Sequence, residues 1–111
     1  MTQHCLVQFR YRSEQAQAMI DTPSDRASVA EAFVGAFGGK LLQLFFAFGE
    51  YDGIFIAEFP DRERMSAALM TMSGTGGFAA IHTTVLFPID KAMAAMRRAA
   101  ATDHGQALPT G

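Results

Sequence analysis

Two apolar segments in the middle of the chain, residues 41–48 and 53–59, are separated by only four residues, Gly49, Glu50, Tyr51 and Asp52. Both segments are rich in Leu, Ile and Phe, and residues of this kind favour β-strands when glycine and other turn residues lie between them. The sequence therefore predicts a β-hairpin whose two strands are joined at Gly49 and Glu50.

The N-terminal segment, residues 3–12, predicts another strand. Its side chains alternate, with His4, Leu6, Gln8 and Arg10 on one side and Cys5, Val7, Phe9 and Tyr11 on the other. A period of two is the pattern of a strand, because successive side chains point to opposite faces of a sheet. The side that contains Cys5 is expected to face helices.

Helix signals occur before and after the hairpin. Thr22 is a suitable N-cap for a main helix whose first residue is Pro23, since proline lacks only an N–H that the first turn does not need. Asp61 and Asp90 are predicted to cap two later helices. The predicted elements are, in order, a strand at 3–12, a short helix at 13–21, the main helix at 23–37, strands at 40–48 and 51–59, a helix at 62–73, a strand at 78–87 and a helix ending near 101.

The order strand, helix, strand, strand, helix, strand is that of the split βαβ or ferredoxin-like arrangement. Right-handed crossovers place the first and third strands in the centre and the second and fourth at the edges. We therefore predict an α+β fold, a ferredoxin-like βαββαβ antiparallel sheet with helices on one face, of the dimeric α+β barrel type. Residues 1–101 are expected to form a single domain and residues 102–111 a flexible tail.

The composition predicts self-association. Half of the 111 residues are hydrophobic and ten are Phe, which is more apolar side chain than one sheet with a few helices can cover. We expect the uncovered face of the sheet to meet a second copy, so that the partner is the chain itself, as a homodimer or a larger homo-oligomer.

Charge and cysteine content exclude several classes of protein. The net charge is −2, and the basic residues are scattered apart from Arg97 and Arg98, so no nucleic-acid partner is expected. The single Cys5 cannot form an internal disulfide, and the start of the chain lacks the pattern of a signal peptide. No run reaches the roughly 18 apolar residues of a membrane span. We therefore predict a cytoplasmic protein without a membrane partner. No metal or cofactor is predicted either, because no Cys or His spacing matches a zinc or haem site.

Four short motifs together resemble a known family. They are Thr22-Pro23-Ser24, Gly38-Gly39-Lys40, Gly49-Glu50-Tyr51-Asp52 and Glu58-Phe59-Pro60-Asp61. Over most of residues 3–90 their combined spacing is similar to that of the GYD-domain proteins. The resemblance implies a ferredoxin-like α+β fold related to the dimeric α/β-barrel superfamily, and it implies no chemistry, since the family has none that is agreed. Related barrels include cofactor-free monooxygenases, isomerases and haem-degrading proteins, but kinship of fold alone transfers no function.

A candidate site follows from the spacing of polar residues. If the first and third strands run parallel and adjacent, pairing His4 with Asp52 also pairs Arg10 with Glu58, because both intervals are six residues. A few polar groups within an apolar face are typical of a ligand pocket. The other polar residues expected on this face are Gln8, Gln43, His82 and Thr84.

Each candidate residue has a structural and a functional interpretation. In the functional one, His82 is a general acid or base and Arg10 holds an anionic or enolate oxygen. In the structural one, Arg10 and Glu58 form an ion pair at the barrel rim and His82 is an interface histidine. Tyr51 and Asp52 either stabilise the turn or line the mouth of the pocket and contact a ligand.

Three functions fit these residues. The first is a homo-oligomeric small-molecule-binding or regulatory domain, with Gln8, Gln43, Tyr51, Asp52, Glu58 and Thr84 contacting the ligand. The second is a cofactor-independent monooxygenase or isomerase that acts on a small carbonyl or aromatic compound through His82 and Arg10. The third is an assembly module whose polar residues only fix the pairing of subunits.

Overall fold

A computed structural model describes residues 2–103 and 105. Most of the predicted C-terminal tail lies outside these residues, as does Met1. The elements are β1 (Gln3–Tyr11), α1 (Ser13–Asp21), α2 (Arg26–Ala36), β2 (Lys40–Phe46), β3 (Gly53–Phe59), α3 (Arg62–Gly74), β4 (Phe78–Leu86) and α4 (Ile89–Ala101). The predicted order of strands and helices is confirmed.

The four strands form one antiparallel sheet in the order β2-β3-β1-β4. The ferredoxin-like α+β fold and the central position of β1 and β3 are therefore confirmed. The parallel register of β1 and β3 is wrong, because His4 lies opposite Glu58 and Gln8 lies opposite Ile54. The helical crossover leaves β2 in the direction of β1, and the hairpin then reverses β3. Arg10 is consequently at the other end of β1 from Glu58.

Helices α2 and α3 cover one face of the sheet and bury its core. Alternate residues of the two central strands point toward these helices, which is the face predicted from the apolar side of β1. Removing such side chains from water supplies the main driving force for folding, about 1.5–3 kcal/mol for each large one. The buried hydrophobic residues are Cys5, Val7, Phe9, Val34, Phe55, Ala57, Phe59, Met65, Ala68 and Met72.

The main helix begins three residues later than predicted. Asp25 is its N-cap in place of Thr22, because the Asp25 carboxylate accepts hydrogen bonds from the backbone N–H groups of Ala27 and Ser28 at 3.1 and 3.3 Å. The Ser28 hydroxyl also donates to this carboxylate, at 2.8 Å, and the hydrogen bond lowers the pKa of Asp25. A carboxylate that accepts two N–H groups of the first turn fixes the helix start there.

The two later helix starts differ from each other. Asp61 caps α3 as predicted and accepts the N–H of Arg64 at 2.8 Å. Asp90 is not the N-cap of α4, because α4 begins one residue earlier, at Ile89, directly after Pro88. Asp90 lies instead in the first turn, where its negative charge interacts favourably with the positive end of the helix dipole.

The hairpin strands are shorter than predicted, since β2 ends at Phe46 and β3 begins at Gly53. The Ala47 N–H donates to the Asp52 carbonyl at 2.8 Å and closes the connection. Gly53 is buried against the ring of Phe9, so close that a Cβ atom at position 53 would lie 2.4 Å from Phe9 Cζ. Glycine at this position therefore permits a close approach between backbone and ring.

Two apolar surfaces of the described chain are not covered by another helix or strand. One is the second face of the sheet, which we call the open face. The other is the side of α4 that carries Ile89, Met93 and Met96; all residues of α4 are described, and none of them is buried. Within residues 2–103 and 105, no helix has the length and apolar character needed to cross a membrane.

Candidate ligand site on the open sheet face

The open face is formed by the side chains of β1 and its neighbours that point away from the helices. Its centre is mostly apolar, because Leu6 lies opposite Ile56 on one side, while Thr84 on the other side of Leu6 contributes one hydroxyl. Polar side chains lie at both ends of the sheet. One group, near the hairpin, is formed by Gln8, Arg10, Tyr51 and His82, and we call it the hairpin-end group.

Arg10 is held at the hairpin by a backbone carbonyl. Its Nε and Nη2 atoms donate to the Glu50 carbonyl oxygen at 3.0 and 2.6 Å. The guanidinium carbon lies 5.7 Å from the centre of the Tyr51 ring, within the range of a cation–π interaction. Nη1 is not used in these contacts, so the guanidinium keeps N–H groups with which it can bind an acceptor on a ligand.

Tyr51 joins Arg10 to the remaining members of the hairpin-end group. The Tyr51 and His82 ring centres are 6.3 Å apart, and Gln8 lies directly opposite His82 in the strand register. A cavity of about 240 Å³ lies beside Gln8, Tyr51 and Ile54. The group combines a guanidinium, a phenol, an imidazole and an amide, which can hydrogen-bond a small molecule with carboxylate or carbonyl oxygens.

Glu58 lies at the other end of the open face and has a different partner from the one predicted. His4 Nε2 is 3.2 Å from Glu58 Oε2, and the two side chains are 24% and 33% exposed. His4 Nδ1 is buried and has no hydrogen-bond partner within the described chain. The predicted Arg10–Glu58 pair is therefore wrong, and the antiparallel register replaces it with His4–Glu58.

Asp52 is separated from the hairpin-end group, although it is adjacent to Tyr51 in sequence. Its Oδ2 atom accepts the backbone N–H of Tyr11 at 2.9 Å, and its own N–H donates to the Phe9 carbonyl at 2.9 Å. The side chain lines a groove with Met19, on the side of the sheet that carries the helices. These contacts fit the structural interpretation of Asp52.

Gln43 and Thr84 lie on the open face by register. Gln43 is opposite Ile56, next to an irregularity in the pairing of the edge strand β2, and Thr84 is opposite Leu6. Neither side chain is hydrogen-bonded to the hairpin-end group within residues 2–103 and 105. The structure thus brings together Gln8, Arg10, Tyr51 and His82 but leaves Gln43, Asp52, Glu58 and Thr84 apart from them.

Sequence reasoning missed the Glu50 carbonyl, which orients Arg10. No side-chain pattern could have revealed it, since every residue except the chain terminus carries the same acceptor. His4 as the partner of Glu58 could have been found from the direction of β3. In the part of the chain that is described, no three His, Cys, Asp or Glu side chains lie close enough together to hold a metal ion.

The sequence of this chain matches the model of a known family. A family model described as the GYD domain matches residues 5–96, which include the hairpin and both helices that cover the sheet. The chain belongs to the GYD-domain family. Among proteins with curated functions, none matches this GYD-domain chain in sequence.

Solved structures similar to the GYD-domain chain include transcriptional regulators. An AsnC family regulator from Agrobacterium tumefaciens aligns with a TM-score of 0.53 and 12% identity, over 78% of this chain and 51% of that one. The regulator NMB0573 from Neisseria meningitidis, solved as a complex with L-Met, aligns with a TM-score of 0.51 and 17% identity, over 96% and 56%.

A third structure, TTHA0845 from Thermus thermophilus, aligns with a TM-score of 0.53 and 15% identity, over 78% of this chain and 94% of that one. The GYD-domain chain therefore spans most of TTHA0845 but only about half the length of the two regulators. At these identities the similarity shows that the fold is shared.

Proposed function

We propose that this GYD-domain protein is a homo-oligomeric regulatory domain that binds a small organic molecule at the hairpin-end group. In this proposal a second copy covers the open face and encloses the ligand. The observation that carries the proposal is the open face itself, an apolar sheet surface with the hairpin-end group at one end and no helix of the described chain over it.

Self-association is supported by the apolar surface that the described chain leaves uncovered. Leu6, Ile54 and Ile56 are only partly buried in the centre of the open face, and Phe45 at its edge is 57% exposed. Contiguous apolar surface of this kind marks an interaction site in a water-soluble domain. A second copy presents the same surface, so that a two-fold pairing satisfies both subunits at once.

Helix α4 presents a second apolar surface to the same partner. Ile89, Met93 and Met96 follow the spacing i, i+4, i+7, which places them on one side of the helix. Because α4 follows directly from the edge strand β4, it begins at an edge of the sheet. We therefore propose that the second copy covers both surfaces.

The hairpin-end group determines the class of ligand. Arg10, Tyr51 and His82 all carry hydrogen-bond donors, and the Arg10 guanidinium is a permanent positive charge. A molecule with a carboxylate or carbonyl oxygen fits these groups. Covering the face with a second subunit would exclude water and strengthen the electrostatic attraction.

Oligomeric state is the first test. Native mass spectrometry of the purified chain should show a dimer or larger assembly, and Ile56→Glu should dissociate it because a charge would be buried in the paired faces. Met70→Glu is the matched control, since Met70 is 74% exposed on α3, which packs on the opposite face. A wild-type monomer, or equal behaviour of the two variants, would contradict the pairing of open faces.

Ligand binding is the second test. L-Methionine is the first probe, because a regulator of similar fold was solved with it, and the other L-amino acids follow, with binding measured by isothermal titration calorimetry. Tyr51→Phe and His82→Ala should each lower the affinity for any amino acid that binds the wild type, while the assembly stays intact. Tyr11→Phe is the matched control, because Tyr11 lies on the helix side of the sheet. Equal loss from Tyr51→Phe and Tyr11→Phe would place the ligand elsewhere.

A further inference from the structure

A second cavity lies on the other side of the sheet, between α2 and the strands. Its volume is about 170 Å³, and its walls include the aromatic rings of Phe9, Phe33, Phe55 and Phe78. Phe9 meets Phe78 edge-to-face, with ring centres 5.4 Å apart. The hairpin-end group does not line this cavity, so the two sites share no side chain.

The size of the cavity limits its occupant to one ring. An apolar cavity of about 150 Å³ in another protein stays free of water and admits a benzene molecule. A cavity of 170 Å³ lined by aromatic side chains therefore has room for a six-membered ring with a short substituent. Aromatic rings favour an aromatic guest, since edge-to-face and offset contacts are better than those with an alkyl chain.

Arg26 supplies a positive charge at the mouth of this cavity. It is the first residue of α2, it is half-buried, and it lines both the cavity and the outer groove. Among the described residues, no carboxylate lies within 4.0 Å of its guanidinium. A half-buried arginine without a carboxylate partner can bind an anion from solution in a bidentate manner.

Tyr11 lies next to Arg26 at the same mouth. Burial raises the pKa of the Tyr11 phenol, and the adjacent Arg26 guanidinium opposes that rise. The phenol is therefore a neutral hydrogen-bond donor at ordinary pH. Asp52 lines the outer groove as well, but the Tyr11 N–H already binds its Oδ2 atom at 2.9 Å.

We propose that this cavity binds a small aromatic monocarboxylate, with the ring among Phe9, Phe33, Phe55 and Phe78 and the carboxylate at Arg26 and Tyr11. The arrangement is complementary at both ends of such a molecule.

The test uses 3-phenylpropionate and its neutral amide, 3-phenylpropanamide, with isothermal titration calorimetry on the full chain. The wild type should bind the acid more tightly than the amide. Arg26→Gln should lower the affinity for the acid about tenfold or more, because a hydrogen bond between charged groups contributes at least that factor to binding. The affinity for the uncharged amide should change by no more than about threefold. Arg62→Gln is the matched control, because Arg62 is also the first residue of a helix after an aspartate cap.

Filling the cavity gives an independent test. Ala30→Leu should abolish binding of both compounds, since Ala30 lines the cavity, whereas Ala32→Leu on the exposed surface of α2 should leave both unchanged. Thermal denaturation of each variant establishes that it is folded. No binding of the acid by the wild type at about 5 mM, or binding that survives Ala30→Leu, would overturn the proposal. An equal effect of Arg26→Gln on acid and amide would overturn the role of the charge.

Discussion

Gly53→Ala should destabilise the domain through one contact. A Cβ atom at position 53 would lie 2.4 and 2.5 Å from Phe9 Cζ and Cε2, far inside the normal contact distance of carbon atoms. Gly53 is not among the glycines with positive φ, so alanine fits the backbone and the effect is steric. The Phe9 ring cannot move freely, because it also contacts the rings of Tyr11 and Phe78.

The expected loss in the free energy of unfolding is about 1–3 kcal/mol, the usual cost of forcing an extra carbon into a packed core. For a domain of this size the loss corresponds to a melting temperature lower by about 4–12 °C. Gly49→Ala is the matched control: no atom would lie within 4 Å of its Cβ, so its stability should stay within about 0.5 kcal/mol of the wild type. Urea denaturation followed by circular dichroism measures both variants.

A double variant tests the mechanism. Phe9→Leu removes the ring atoms that the new Cβ meets, so Gly53→Ala should cost less in the Phe9→Leu background than in the wild type. The two substitutions should therefore show a favourable coupling of about 1 kcal/mol. Equal stability of Gly53→Ala and Gly49→Ala, or strict additivity with Phe9→Leu, would refute the steric explanation.

Three further predictions concern core and cap residues. Phe59→Ala should cost about 3–5 kcal/mol in urea denaturation, because Phe59 is 2% exposed, whereas exposed Phe48→Ala should change stability by less than about 0.5 kcal/mol. Ellman's reagent should label Cys5 far more slowly in the folded than in the unfolded chain, because burial raises the pKa of this thiol above its usual 9.0 and shields it; equal rates would contradict this. The Ser28 hydrogen bond lowers the pKa of Asp25 below its usual 3.8, so the Asp25 contribution is present above that pH and lost as the pH falls through the folded-state pKa. The urea midpoint of Asp25→Ala should accordingly vary less with pH below about 4 than that of the wild type.

Much of the fold could be predicted because local signals and topology rules agree. The alternation in β1, the hairpin and the crossover rule together predict the sheet order β2-β3-β1-β4, which is observed. The start of α2 could not be fixed in the same way, since Thr22 and Asp25 are both good caps. In the folded chain the backbone N–H groups of Ala27 and Ser28 donate to the Asp25 carboxylate, and these hydrogen bonds make Asp25 the N-cap.

The register of β1 and β3 shows a different limit of sequence reasoning. His4 and Arg10 are six residues apart, and so are Asp52 and Glu58, so a parallel and an antiparallel pairing both match two polar residues with two others. Spacing cannot distinguish these alternatives, but chain direction can, because the hairpin must reverse β3 relative to β2. The observed His4–Glu58 contact at 3.2 Å follows from that reversal.

Residues of the hairpin motif make contacts on both faces of the sheet. A substitution is therefore informative about the ligand site only if it changes the contacts on one face. The Glu50 carbonyl holds Arg10, and Tyr51 lies beside Arg10 on the open face, whereas the Asp52 carboxylate binds the Tyr11 N–H on the helix side. Asp52→Ala would therefore disturb β1 and the mouth of the α2 cavity together with the hairpin. Tyr51→Phe keeps the ring and removes only a hydroxyl, so a loss of ligand binding in that variant reports on the open face alone.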